Sequence, residues 1–324
     1  MPSAIVVHAP GGPEVLRLEP RELPSAPATG QVRVRHTCIG VNFIDVYHRS
    51  GLYPQAMPLV PGQEAAGTIE AVGAGVTDLR PGDRVAYVGA LGAYADVRDL
   101  AADRVVVLPD AVPLSTAAAL MLKGMTAHML LHQVTRVQAG DTVLVLAAAG
   151  GVGQLLVAWA SALGARVIAG VGSAEKAAIA QSRGASDVVV YGVEPLAARV
   201  RALTGGHGVD VVYDGVGQAT FSASLDCARS RGLVVSFGQA SGKVPTIDVA
   251  ALQQRGCLYV TRPSLHVYTH TRAELVATSS ALLAAIAQGI LPAAIAGRYP
   301  LAEAARAHAD LEARRTTGAL LLEV

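Results

Sequence analysis

From about residue 142 onward the chain alternates between short apolar runs and longer amphipathic stretches. The runs at 143–146, 166–170, 188–190, 210–213, 233–236 and 258–261 are largely Val, Ile, Leu and Ala. Their length and near-continuous apolar character predict strands buried on both faces. Between them, 154–163, 175–183, 195–203 and 221–229 carry helix formers and predict crossover helices. Strand and helix in strict alternation predict an α/β domain built on a doubly wound parallel sheet. Residues 1 to about 125 follow another rule. The stretch 31–37 (Gln-Val-Arg-Val-Arg-His-Thr) alternates apolar and polar positions, and 67–73 and 83–88 look similar. Pro61-Gly62, Gly73-Ala74-Gly75 and Pro81-Gly82-Asp83 punctuate them. Short strands with such turns predict an antiparallel, barrel-like domain. The last run, 319–324, reads as a strand that returns to this first domain. The expected organisation is therefore 1–125 for the first segment of the β-rich domain, 126–262 for the parallel-sheet domain, and 263–324 for the return.

The first strand of the parallel domain leads into Ala147-Ala148-Ala149-Gly150-Gly151-Val152-Gly153. A buried strand, a tight glycine turn and a helix start present backbone N–H groups to a pyrophosphate. The dinucleotide fingerprint is G-x-G-x-x-G, and here Ala148 replaces its first Gly while Gly150 and Gly153 hold the other two places. Ala149, Gly150, Gly151, Val152 and Gly153 are the expected cofactor-binding residues of the turn. A doubly wound domain without a nucleotide is the alternative reading of the same pattern. The end of the second strand bears on which nucleotide binds. NAD sites place an acid there for the ribose hydroxyls. The sequence instead reads Gly170-Val171-Gly172-Ser173-Ala174-Glu175-Lys176. A hydroxyl at Ser173 and a cation at Lys176 suit a 2′-phosphate, which predicts NADPH. Glu175 weighs against that expectation, and a solvated helix lysine is the other reading of Lys176.

Composition narrows the class. At 324 residues the chain has length for two cores. Formal net charge is +1, which lends no support to an extended nucleic-acid surface. No uninterrupted apolar run reaches the roughly 18 to 20 residues of a membrane span; the best candidate, 281–297, contains Gln288 and Pro292. No charged start followed by an apolar core marks a signal peptide. Cys38, Cys227 and Cys257 lie far apart with no C-x-x-C pair, which excludes a four-thiolate zinc site and suits a reduced, cytoplasmic protein.

Several ordered motifs extend this reading. They are Gly11-Gly12-Pro13-Glu14-Val15-Leu16, Gly40-Val41-Asn42-Phe43-Ile44-Asp45, Arg49-Ser50-Gly51-Leu52-Tyr53-Pro54 and Leu122-Lys123-Gly124-Met125-Thr126. The turn at 147–153, Val234-Val235-Ser236-Phe237-Gly238 and Tyr259-Val260-Thr261-Arg262-Pro263-Ser264 continue the series. Over nearly its whole length the chain resembles the zinc-independent quinone oxidoreductases, the zeta-crystallin-like branch of the medium-chain dehydrogenase/reductases. Ala158 departs from the Gln usual there. The resemblance implies a GroES-like β-rich catalytic domain, a Rossmann domain, a cleft between them, and a homodimer joined through edge strands. Residues 256–261 are the expected edge, since an apolar edge needs covering. Zinc relatives place a Cys early in the first domain and a His in a Gly-His-Glu motif; here the positions read Gly40-Val41-Asn42 and Gly62-Gln63-Glu64. A Gln amide is a poor zinc ligand, and a Cys38–His36 pair alone supplies too few ligands, so no metal is expected. Without a Lewis acid, alcohol oxidation is hard and hydride delivery to an electron-poor acceptor is easier.

The resemblance also implies roles. Asn42 and Tyr53 are the expected catalytic residues, Asn42 also holding the nicotinamide ribose and Tyr53 donating its phenol to the acceptor oxygen. Turn capping and packing are their structural alternatives. Asp45 and Gln63 are candidates for lining the substrate cleft. Thr126 is expected near the nicotinamide, Tyr191 by the adenosine and its 2′-phosphate, and Phe237 and Gly238 at the strand end where open sheets bind ligands. Arg314 matches a cofactor-contacting Arg. Lys123 is either a phosphate contact or a surface residue. His36, His48 and His266 receive no role. The expected activity is NADPH-dependent reduction of a quinone. The alternatives are reduction of an enal or enone double bond, and a nucleotide-binding structural or RNA-binding role.

Overall fold

The computed structural model describes residues 1–313 and 316–324, so the expected site at Arg314 lies outside the described residues. Two compact units form. The first comprises Met1–Met125, Thr269–Ala287 and Pro292–Val324; the second comprises Thr126–Tyr268 and Gln288–Leu291.

The first unit opens with β1 (Ser3–Val6) and β2 (Arg17–Pro20), an antiparallel pair. It continues through β3 (Gln31–Val41), α1 (Phe43–Arg49), β4 (Glu64–Val72), β5 (Arg84–Val88), β6 (Val97–Ala101), β7 (Val105–Val107) and α2 (Leu114–His128). The second unit holds β8 (Thr142–Leu146), α3 (Gly151–Ala162), β9 (Arg166–Val171), α4 (Ala177–Ser182), β10 (Asp187–Val190), α5 (Leu196–Leu203) and β11 (Val209–Asp214). It ends with α6 (Phe221–Cys227), β12 (Ala228–Ser236), α7 (Val249–Gln254), β13 (Tyr259–Thr261) and α8 (Leu265–Tyr268). The chain then returns to the first unit through α9 (Arg272–Ala287), β14 (Ile295–Pro300), α10 (Ala304–Glu312) and β15 (Ala319–Glu323).

Among the described residues, the larger sheet of the first unit runs β14-β15-β3-β4-β5-β7, with β6 also on β3. The eleven-residue β3 organises it. Its first half pairs antiparallel with β6 and its last four residues pair with β15, while β4 runs along its other edge. Alternation explains the start of β3, where Val32 and Val34 are fully buried between more exposed neighbours. Beyond His36 the pattern changes: Cys38 to Val41 are buried on both faces, because β15 covers the edge and core lies on each side. Leu320 and Leu322 join the same core as Val32, Val34, Ile39 and Val41.

The second unit is a six-stranded parallel sheet ordered β10-β9-β8-β11-β12-β13. The order reverses between β8 and β11, which places the switch point at the carboxyl end of β8. The six predicted strands are all present. The last predicted helix is shorter than expected: α6 stops at Cys227, and Ala228 already begins β12. The stretch nearest in character to a membrane span lies elsewhere than the sequence suggests. A continuous helical stretch, 114–134, is long and apolar enough by length and composition to cross a bilayer, although the sequence pattern pointed to 281–297. It is 67% buried within the protein, as a core helix is.

Because β15 sits between β14 and β3 with both faces covered, its leucines carry unusual weight. Leu322→Ala is expected to cost about 2–5 kcal/mol through lost burial and the cavity left behind. Val324→Ala, at a half-exposed position beyond the strand, is expected to stay within about 0.5 kcal/mol. Urea unfolding of the two variants beside the parent chain checks this.

Candidate functional site

Asn42 stands where β3 ends and α1 begins. Its backbone is extended (φ −137°, ψ 155°), and its N–H is accepted by the Asp45 carboxylate at 2.9 Å, which closes the first turn of α1. Its side-chain amide Nδ2 donates to Glu64 Oε1 at 2.8 Å. Glu64, the first residue of β4, is completely buried. It accepts from the Leu122 backbone N–H at 2.6 Å and from Lys123 Nζ at 2.9 Å. Gly40 is required beside it, since a Cβ there would collide with the Glu64 carboxylate and the Ala118 carbonyl. Lys123 is thus not a surface residue. It is buried, and its charge is spent on Glu64.

Asp45 was expected to line a cleft, and in the structure it is closed off from solvent. Burial pushes its carboxyl up to about 7; Glu64 nearby adds to the rise, while the Asn42 N–H, the Tyr94 hydroxyl and Lys123 oppose it. Its Oδ1 has no hydrogen-bond partner among the described residues. Tyr53 is half-buried beyond α1, its ring edge-on to Tyr47 at 5.2 Å and 6.1 Å from the ring of His48. Gln63 is half-buried and gives its carbonyl to the Gly89 N–H. His36 has both ring nitrogens engaged, Nδ1 with the Ala95 carbonyl at 2.6 Å and Nε2 with the Tyr87 hydroxyl at 2.9 Å. That leaves no lone pair to pair with Cys38, whose thiol burial pushes up. No group of three or more His, Cys, Asp or Glu able to hold a metal occurs among the described residues.

The remaining expected residues belong to the second unit. The turn after β8 is built by the backbone. Ala147 adopts φ 51°, its carbonyl accepts from Gly150 N–H at 2.8 Å, and Ala148 N–H bonds the Gly170 carbonyl of β9. Gly153 must be glycine, because a Cβ would collide with the Ala147 carbonyl oxygen and press on Ala148. Gly150 caps α3 without any side-chain hydrogen bond to the helix N-terminus. Among the described residues no side chain caps this end, so the first-turn N–H groups of Gly151, Val152 and Gly153 favour an anion. Gln154 steadies the turn by donating to the Ala149 carbonyl at 2.9 Å, and its own carbonyl accepts from Arg183 at 3.0 Å.

Ser173 and Lys176 form the turn beyond β9, joined by a hydrogen bond from Lys176 N–H to the Ser173 carbonyl. Tyr191 follows β10, and its ring lies against the end of β9, close enough that a Cβ on Gly172 would sit 3.5 Å from its hydroxyl. Phe237 and Gly238 follow β12; the Phe237 ring covers Gly215 and its N–H bonds the Asp214 carbonyl. The structure thus gathers 149–153, Ser173, Lys176, Tyr191, Phe237 and Gly238 at the carboxyl end of one parallel sheet. Thr126 lies within α2.

Sequence reasoning missed Glu64 and Asp214. Asp214 is fully buried at the end of β11 and accepts from Val216 N–H, Gly217 N–H, Thr220 and Ser224, which shapes the loop beside the switch point. An acid closing an apolar strand was its available signal. Glu64 offered only its place after Pro61-Gly62-Gln63.

Comparison with known proteins agrees with this architecture. Residues 28–110 match the family described as alcohol dehydrogenase GroES-like domain, and residues 151–276 match the family described as zinc-binding dehydrogenase. The chain is 48% identical over 99% of both chains to a quinone oxidoreductase of Pseudomonas aeruginosa. It is 44% identical, again over 99% of both, to a 2-haloacrylate reductase of a Burkholderia species. The crystal structure of Escherichia coli quinone oxidoreductase complexed with NADPH superimposes with a TM-score of 0.97 at 46% identity, covering 99% of this chain and all of that one. The GroES-like and Rossmann expectations therefore hold, and the chain belongs to the quinone oxidoreductase family, the zeta-crystallin-like branch of the medium-chain dehydrogenase/reductases.

Proposed function

We propose that this protein is a zinc-independent reductase that transfers hydride from NADPH to a quinone. One observation carries the reading of its chemistry: the buried Glu64 beside Asn42 is neutralised by Lys123 and hydrogen-bonded by Asn42 and Leu122. A carboxylate so engaged has little left for a metal, Gln63 before it is a poor ligand, and His36 is fully occupied. What the first unit offers instead is hydrogen bonding and positioning. The residues of the second unit fit NADPH by their own chemistry: an uncapped helix N-terminus for the pyrophosphate, and a hydroxyl and a cation, with no acid closing β9, for the 2′-phosphate. Bound there, NADPH supplies the hydride. Asn42 holds the ribose or polarises the acceptor oxygen, and Tyr53 donates its phenol to that oxygen. Thr126, Tyr191, Phe237 and Gly238 shape the cofactor's surroundings, and Gln63 lines the substrate side. A quinone takes hydride without prior activation, because its oxyanion is delocalised, so orientation and a few hydrogen bonds suffice.

The likeness to the Burkholderia 2-haloacrylate reductase supports a second reading, reduction of an activated carbon–carbon double bond. The protein also fits a homodimer paired through β13, which bonds only β12 among the described residues and exposes Tyr259 at 63%. Its three thiols are unpaired, which suits the reducing cytoplasm.

Lys176→Ala is expected to raise KM for NADPH by about 10- to 100-fold, the worth of one charge-assisted hydrogen bond, and to leave KM for NADH unchanged. Equal losses with both nucleotides would remove Lys176 from the 2′-phosphate. For the acceptor, NADPH oxidation is followed with a naphthoquinone, an ortho-quinone, an alkenal and a 2-haloacrylate in parallel. Turnover of the quinones is expected to dominate, and turnover of the alkenal or haloacrylate alone would replace the first reading with the second.

A further inference from the structure

Asp45 is one end of a buried polar chain that the reaction as described does not use. Besides the Asn42 N–H, its Oδ2 accepts the Tyr94 hydroxyl at 3.2 Å. The Tyr94 oxygen lies 2.9 Å from His308 Nε2, and His308 Nδ1 lies 3.2 Å from Arg49 Nη1. Arg49 is clamped by both oxygens of Glu312, each at 2.9 Å, and gives its Nε–H to the Gly11 carbonyl. Asp45, Tyr94 and His308 are fully buried and Arg49 is 2% exposed; only Glu312 reaches solvent. The chain joins α1, the segment before β6, and α10, all within the first unit.

Its proton directions follow from one constraint: a guanidinium only donates. His308 Nδ1 must therefore accept from Arg49, which leaves the imidazole proton on Nε2. That proton goes to the Tyr94 oxygen, and the Tyr94 hydrogen goes to Asp45. Burial and the neighbouring Arg49 hold the His308 pKa down to about 3, so the ring stays neutral and this polarity persists across the working pH range. The arrangement matches an ionised Asp45. A neutral carboxyl would carry its proton on the unpartnered Oδ1, and its Oδ2 would accept from the two donors more weakly than a carboxylate does. Against this stands desolvation, with Glu64 on β4 adding repulsion and Lys123 on α2 giving partial relief.

We propose that Tyr94, His308 and Arg49 form a remote positioning device that favours the ionised form of Asp45 against desolvation and thereby holds Asn42 and the first turn of α1 in place. The consequence for pH has a definite sign. Above the Asp45 midpoint the carboxylate accepts both the Asn42 N–H and the Tyr94 hydroxyl. Below it the carboxyl is neutral, the hold on Asn42 weakens, and kcat/KM falls on the acid side. The link to kcat/KM rests on the quinone-reductase reading, through the role given to Asn42; the control of Asp45's charge does not.

The test is an infrared titration of the full chain, following the carboxylic C=O band that disappears in Asp45→Asn, together with the pH profile of kcat/KM for a naphthoquinone. The parent chain is expected to titrate near 7 in both. Tyr94→Phe, which removes one donor to the carboxylate, is expected to move both midpoints upward by about one pH unit. His308→Leu is expected to move them in the same direction. His308→Gln, which retains an N–H toward Tyr94, is expected to return them toward the parent value. Unmoved infrared midpoints in Tyr94→Phe, with the melting temperature of the folded parent, would overturn the proposal. So would a uniform loss of kcat/KM at every pH. Tyr94→Phe decides the matter if His308→Leu does not fold, because it removes only one oxygen from the ring. An infrared midpoint that moves in a protein turning over no quinone would defeat the quinone reading and leave control of Asp45's charge intact.

Discussion

The first unit depends on keeping one carboxylate, Glu64, inside it. A buried charge is tolerated only when it is paired and its acceptor sites are filled, and removing one partner of such a pair typically costs about 3–5 kcal/mol. Glu64 meets that demand with three donors from two places in the chain: the Asn42 amide at the end of β3, and the Leu122 N–H and Lys123 ammonium of α2. The bonds therefore fix the relative positions of β3, β4 and α2. They also dictate neighbours that would otherwise look arbitrary. Gly40 has no side chain because the carboxylate and the Ala118 carbonyl occupy the space. Gly124, next to Lys123, has none because Leu282 of α9 lies there. Motifs at 40–45, 62–64 and 122–126 are parts of a single electrostatic arrangement.

The second unit works by another principle. The features that suit it to a nucleotide are backbone features: a left-handed Ala147, a glycine that permits the helix to approach, and an α3 N-terminus that no described side chain caps. Side chains act mainly in support, as when Gln154 braces the Ala149 carbonyl and Asp214 gathers the loop after β11. Such a site needs few specific side chains and can be read from a dozen consecutive residues.

That difference explains what was legible in the sequence. The strands of the parallel sheet, the glycine turn and the Ser173–Lys176 turn are local, and hydrophobic period and turn chemistry report local structure. Lys123 was misjudged because its partner lies 59 residues away, and a lysine in isolation reads as surface. The Tyr94–His308 bond spans 214 residues, and no spacing rule reaches that far. The end of α6 was overrun for a related reason. Residues 228–231 have no strong preference, and pairing of Ala228 with Val209 of β11 decides in favour of strand.

The course of β15 has a consequence for synthesis. Residues 38–41 of β3, the stretch that delivers Asn42, have their edge partner in residues 320–323. A growing chain makes β3 early and meets that partner only after the entire stretch 126–268 has been translated. The parallel sheet, complete within that stretch, is free to fold while the ribosome is still at work. The earlier domain meanwhile waits with four residues of unpaired edge backbone, a template for pairing with the wrong strand. Its last strand therefore acts as a closing seam, and the interval before the seam is sewn is when a nascent chain has most need of protection.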